Sequence, residues 1–141
     1  MKQFSIIERS CRTFSERRLK KYDLGFSEQL VLMYVSAHDE VNQEKIARNY
    51  MIDKGAIAKT SVKLEKKGFI TRIQNPDNKR EYLVSLTQDG QNIIKHMNEI
   101  LIDWNEGLYE GISEEDIIVM KRTTEKMVAN AAKLIERETN Q

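Results

Sequence analysis

Two helical stretches, residues 43–50 and 54–67, are separated only by Met51-Ile52-Asp53. A link this short forces the second helix to turn sharply against the first. Asp53 is a good N-cap for the second stretch, and Gly68 sits where a left-handed C′ residue closes it. The texture then changes at once. Phe69-Ile70-Thr71-Arg72-Ile73 and Glu81-Tyr82-Leu83-Val84-Ser85-Leu86 are β-rich, and residues 74–80 between them are dense in turn formers. The spacing predicts a tight helix pair followed by a β-hairpin with a polar, basic tip.

Helical periodicity governs the flanks. Residues 4–22 carry Phe4, Ile7, Cys11 and Phe14 on one stripe. Ser27 is the expected N-cap of a helix over 28–38, with Leu30, Val31, Tyr34 and Val35 as its apolar face. Residues 39–41 form a connector with room for one strand pair, and Asn42 caps the short helix after it. Thr87 caps a long helix over 88–109, with Ile93, Ile94, Met97, Ile100, Leu101, Trp104 and Leu108 expected inside. Ser113 and Asp116 resemble a capping box ahead of a last helix bearing Ile117, Met120, Met127, Val128, Ala131 and either Leu134 or Ile135. The expected fold class is mainly α with a small β-hairpin (α+β), a winged helix-turn-helix in outline. A chain of 141 residues cannot bury every one of these stripes in one core. The spare apolar surface of the terminal helices points to a second copy of the chain. Residues 1–26 and 88–141 are therefore expected to form a dimerisation region around a winged-helix domain over 27–87.

Composition narrows the partners. The longest apolar run, residues 30–35, is far short of the roughly 20 residues a membrane span needs. The first twelve residues lack a signal-peptide core, and the single cysteine excludes an internal disulfide, so a cytoplasmic location is expected. Net charge is only +1, but its distribution is uneven. Residues 41–80 hold ten Lys/Arg against four acids, and residues 81–120 hold one Lys against nine acids. A basic centre beside an acidic flank suits a protein that turns one face toward a polyanion. Solvated helix faces would show the same charges.

Placed at about 100° per residue, Ile57, Thr60, Ser61 and Leu64 form the inward face of the second stretch. Gly55, Ala58, Lys59, Val62 and Lys66 lie opposite, with Ala56 and Lys63 at a border. Small residues near the helix start let it sink into a groove, its free N–H groups suit phosphate, and its lysines reach phosphates or guanine edges. Lys79 and Arg80 at the hairpin tip suit minor-groove entry, with Asp77 near enough in sequence to hold Arg80 in a set direction.

The stretch Asp53-Lys54-Gly55-Ala56-Ile57-Ala58-Lys59, then Leu64-Glu65-Lys66-Lys67-Gly68-Phe69-Ile70-Thr71-Arg72, resembles the reading helix and first wing strand of MarR-type transcriptional regulators. Asn75-Pro76-Asp77-Asn78-Lys79-Arg80, then Leu83-Val84-Ser85-Leu86-Thr87-Gln88-Asp89-Gly90, resembles that family's wing signature. The likeness runs over about residues 27–90. It implies an obligate homodimer, with interlocked terminal helices, that represses nearby genes by binding duplex DNA. It also implies release by a small aromatic or anionic effector. Position by position, it implies that Lys54, Gly55, Ala56, Ala58, Lys59 and Lys63 face the major groove. Arg80 with Lys79 would enter the minor groove, and Asn42 and Gln43 would donate to a phosphate. Thr60 and Ser61 depart from the family's larger apolar residues. Asn78 stands where an aspartate is common, leaving Asp77 to supply the wing carboxylate.

Other sites are thinner. Cys11 invites a thiol-sensor reading, with Arg9 and Arg12 near enough in sequence to favour the thiolate, although its stripe also suits plain packing. Arg18, Tyr22, Tyr34 and Trp104 are candidate walls of an effector pocket, or core residues. His38 and His96 lack a second ligand at metal spacing, and Glu114-Glu115-Asp116 suits a helix N-terminus better than acid–base work. No catalytic constellation appears, so neither an enzyme nor a cofactor is expected. The alternatives to a DNA-binding repressor are a winged-helix protein-interaction module without DNA, and a redox-sensing regulator acting through Cys11.

Overall fold

A computed structural model describes residues 1–39 and 41–139. It contains α1 (Lys2–Arg18), a 3-10 turn at Lys20–Tyr22, α2 (Phe26–Ser36), β1 (Val41–Asn42), α3 (Gln43–Tyr50) and α4 (Lys54–Lys66). β2 (Ile70–Gln74), β3 (Tyr82–Leu86), α5 (Gln88–Leu108) and α6 (Glu114–Thr139) complete it. The chain divides into two compact units, residues 1–104 and 105–141. This division by compactness is a different partition from the functional one expected between residues 26 and 27 and between 87 and 88.

In the first unit the core gathers one face from each element. Val31, Leu32 and Val35 of α2, Ile46 and Ala47 of α3, Ile57 and Leu64 of α4, Ile70 and Val84 of the sheet, and Ile93, Met97 and Ile100 of α5 are all buried. The expected hairpin is one part of a three-stranded antiparallel sheet in the order β1-β3-β2. Val41 pairs with Val84, and Ile70 pairs with Leu86. The strand pair allowed for at 39–41 falls on Val41 and Asn42, and residue 40 lies outside the described residues.

Two helix boundaries differ from the sequence reading. α2 begins at Phe26 with Gly25 as its N-cap, not after Ser27. The Glu28 carboxylate takes the Gly25 N–H at 2.9 Å, closing the first turn two residues early. Helix α1 stops at Arg18 because Leu19, 1% exposed, turns into the core. Leu101, expected inside, is exposed, and so are Phe4 and Ile7 of the α1 stripe.

A lock joins the sheet to α5. Thr87 donates its hydroxyl to the Gly68 carbonyl at 2.6 Å and accepts the Gly90 N–H at 3.0 Å. The Thr87 N–H bonds the Phe69 carbonyl at 3.1 Å.

The second unit holds α6. Ser113 Oγ accepts the Asp116 N–H at 3.1 Å, as a cap should. The expected reciprocal bond is absent, because the Asp116 carboxylate accepts the Ser113 hydroxyl instead of the Ser113 backbone. No residue of α6 is buried, and Ile118, Met127, Val128, Leu134 and Ile135 are all exposed. Among the described residues no helix is long and apolar enough to cross a membrane.

Candidate nucleic-acid interface

The turn between α3 and α4 is fixed from both sides. Asn42 Oδ1 accepts the Lys45 N–H at 2.8 Å and starts α3. Met51 closes α3 in the left-handed region at φ 54°, and the Ile52 N–H reaches back to the Ala47 carbonyl at 3.0 Å. Asp53 Oδ2 then accepts the Ala56 N–H at 3.0 Å and starts α4.

Helix α4 buries Ile57, Ser61 and Leu64, with Thr60 half-buried. The hydroxyls of Thr60 and Ser61 are satisfied locally. Ser61 donates to the Ile57 carbonyl and Thr60 to the Ala56 carbonyl, each at 2.9 Å. The other side presents Lys54, Gly55, Ala56, Lys59, Lys63 and Lys66 to solvent, with Ala58 half-buried. Lys59 and Lys63 make no ion pair among the described residues. Lys54 lies 3.6 Å from Glu44, which also holds Arg48 at 2.6 Å. Exposed pairs of this kind restrain a side chain only weakly.

Asn42 is half-buried at the start of α3. Gln43 departs from the expected outward role. Its side chain is buried, with Nε2 unpartnered, so only its backbone stands at the helix start.

The wing tip is shaped by asparagines, not by an ion pair. Asn75 Oδ1 accepts the Asp77 N–H at 3.0 Å, and Asn78 Oδ1 accepts the Arg80 N–H at 3.2 Å. Gln74 Nε2 donates to the Lys79 carbonyl at 2.6 Å. The expected Asp77–Arg80 pair does not form, because the two asparagine side chains organise the turn and leave Asp77 facing solvent. Lys79 and Arg80 are exposed.

Two polar clusters were not read from the sequence. Lys67 lies 2.8 Å from Glu28 and also donates to the Asp23 carbonyl, tying the end of α4 to the start of α2. Arg72 Nε lies 2.9 Å from Glu65 Oε2, and its guanidinium stands 4.9 Å from the Tyr82 ring. The seven-residue spacing of Glu65 and Arg72 across the glycine turn was the available signal.

The four residues expected to wall one effector pocket do not share one site. Arg18 and Trp104 border an open groove of about 590 Å³, where Arg18 pairs with Asp103 and lies over Phe14. Tyr22 packs edge-on against His96, and Tyr34 stacks on His38 at 4.2 Å. Helical spacing brought these aromatics to the core without bringing them together. A smaller apolar cavity of about 200 Å³ is lined by Cys11, Leu19, Phe26, Met33, Met97 and Trp104. Burial pushes the Cys11 thiol up from its ordinary value, and Glu8 adds to the rise. The expected help from Arg12 is absent because Arg12 turns to Glu16 at 3.1 Å.

The helix pair, β2 and the wing tip lie within a segment that matches a known family: residues 27–82 fit the model of the MarR family. Over that segment the chain is similar to the MarR family. It is 32% identical over 75 residues to the HTH-type transcriptional regulator SarZ of Staphylococcus haemolyticus (strain JCSC1435), covering 53% of this chain and 51% of that relative. The chain thus spans about half the length of that relative. A solved structure of MarR is 29% identical, with TM-score 0.79 over 93% of this chain and 96% of that one. A MarR transcriptional regulator from Methanosarcina mazei Go1 is 26% identical, with TM-score 0.87 over 94% and 96%.

Proposed function

We propose that the chain is a cytoplasmic transcriptional regulator that binds duplex DNA sequence-specifically as a homodimer and represses transcription. The observation that carries this reading is the two-sided character of α4. Ile57, Ser61 and Leu64 anchor one side in the core, while Lys59 and Lys63 stand exposed on the other, with no ion pair among the described residues. A helix fixed that firmly can enter the major groove without losing its place in the fold. Lys79 and Arg80, exposed at the wing tip, supply a minor-groove contact. Residues 1–26 and 88–141 form the dimerisation region, and the apolar face of α6 supports that role. The groove beside Arg18 and Trp104 supports release by an anionic aromatic effector.

A protein-interaction module without DNA would have no use for the exposed lysines of α4. A redox role for Cys11 is disfavoured by the raised thiol pKa, since the thiolate is the reactive form. The test is heparin retention in a salt gradient, followed by footprinting on the DNA flanking the protein's own gene. A protected stretch of duplex supports the reading, and uniform cleavage at micromolar protein contradicts it.

A further inference from the structure

We infer that Glu65 and Arg72 brace the wing against α4, and so act as positioning residues for minor-groove contact by Arg80. The inference rests on the DNA-binding reading and adds the element that aims the wing.

Helix α4 and strand β2 are joined by Lys67-Gly68-Phe69, with Gly68 in the left-handed region at φ 79°. Ile70 is buried at the base of β2, but Thr71, Ile73 and Gln74 are exposed beyond it. Tyr82 and Ser85 of β3 are exposed as well. Beyond Val84, buried opposite Arg72, and half-buried Leu83, the outer ribbon has little apolar packing to fix its angle. On β2 past Ile70, Arg72 alone is shielded, its side chain only 17% exposed. Its Nε meets Glu65 on α4 at 2.9 Å, and its guanidinium faces the Tyr82 ring on β3 at 4.9 Å. One planar cation thus ties the reading helix to both wing strands. With its charge matched by Glu65, Arg72 is occupied as a strut rather than offered to a phosphate. A wing that swings by an ångström or two would lose its groove while α4 kept its own.

The test uses the full chain and a duplex selected by the wild-type protein from a random library. Glu65→Gln is expected to lose minor-groove protection in a hydroxyl-radical footprint while keeping guanine N7 protection in the major groove. Affinity should fall about tenfold. Without DNA, amide exchange in residues 75–81 should quicken while the melting transition stays cooperative. Arg72→Lys, which keeps the charge but not the flat fork, should fall between. The swap Glu65→Arg with Arg72→Glu should restore minor-groove protection. Unchanged minor-groove protection in Glu65→Gln overturns the brace alone. So does parallel loss of both footprints, or failure of the swap to restore protection in a folded protein. A wild-type chain that selects no duplex overturns the DNA-binding reading, and the brace with it.

Discussion

Gly90 lies so close to Phe69 that an added Cβ would overlap the Phe69 carbonyl oxygen and stand 3.1 Å from its carbonyl carbon. Thr87 and Gly90 therefore act together, the first bonding the turn after α4 and the second letting α5 pass beside it. Gly90→Ala is expected to destabilise the chain by about 3 kcal/mol, because backbone on both sides must shift. Urea unfolding measures this. Gly107→Ala, in open space within the same helix, should instead stabilise by up to about 1 kcal/mol.

Lys59 and Lys63 are exposed, and neither has an ionic partner among the described residues. Replacing either by Ala should leave unfolding within about 0.5 kcal/mol of wild type. If each lysine neutralises one phosphate, each substitution should lower the slope of log affinity against log salt by about one. Fluorescence anisotropy at several salt concentrations checks both lysines.

The wing tip separates two neighbours that the sequence joined. Arg80→Ala should weaken duplex binding by about ten- to a hundredfold, the loss of a charged groove contact, with oligomeric state unchanged. Asp77→Ala should change affinity by less than about threefold, because Asp77 does not hold Arg80 and a surface charge contributes little. Gel-shift titration of both variants decides whether an Asp77–Arg80 pair operates.

Cys11 gives a prediction with a definite sign. A raised thiol pKa leaves less thiolate at any given pH, so alkylation near neutrality should be slow. Iodoacetamide labelling followed across pH should reach half its maximal rate at a higher pH than free cysteine. A lower midpoint would restore the thiol-sensor reading.

The local signals in the sequence were the reliable ones. Asn42, Asp53 and Thr87 cap the helices they were expected to cap, and Gly68 takes the positive φ its place required. These features depend on residues a few positions apart, so spacing reveals them. The start of α2 was missed because Glu28 reaches back to Gly25, and a side-chain acceptor at that position overrode the better-known preference for Ser27. The wing tip was misread because two asparagine turns compete with an ion pair, and sequence proximity does not choose between them. The effector wall failed for a different reason. Tyr22 lies in the 3-10 turn after α1, while Tyr34 and Trp104 lie on the apolar faces of two different helices, and periodicity fixes a face within one helix, not the meeting of faces between helices. The brace at Glu65 and Arg72 depended on how α4 turns into β2, which spacing alone does not supply.

If two copies of this chain present α4 and the wing to one duplex, in vitro selection of duplexes from a random library with the full chain should reveal it. The expected result is enrichment of a pseudo-palindrome whose half-sites lie about 34 Å apart, one turn of DNA. Enrichment of no sequence, or of a single unrepeated half-site, would contradict it.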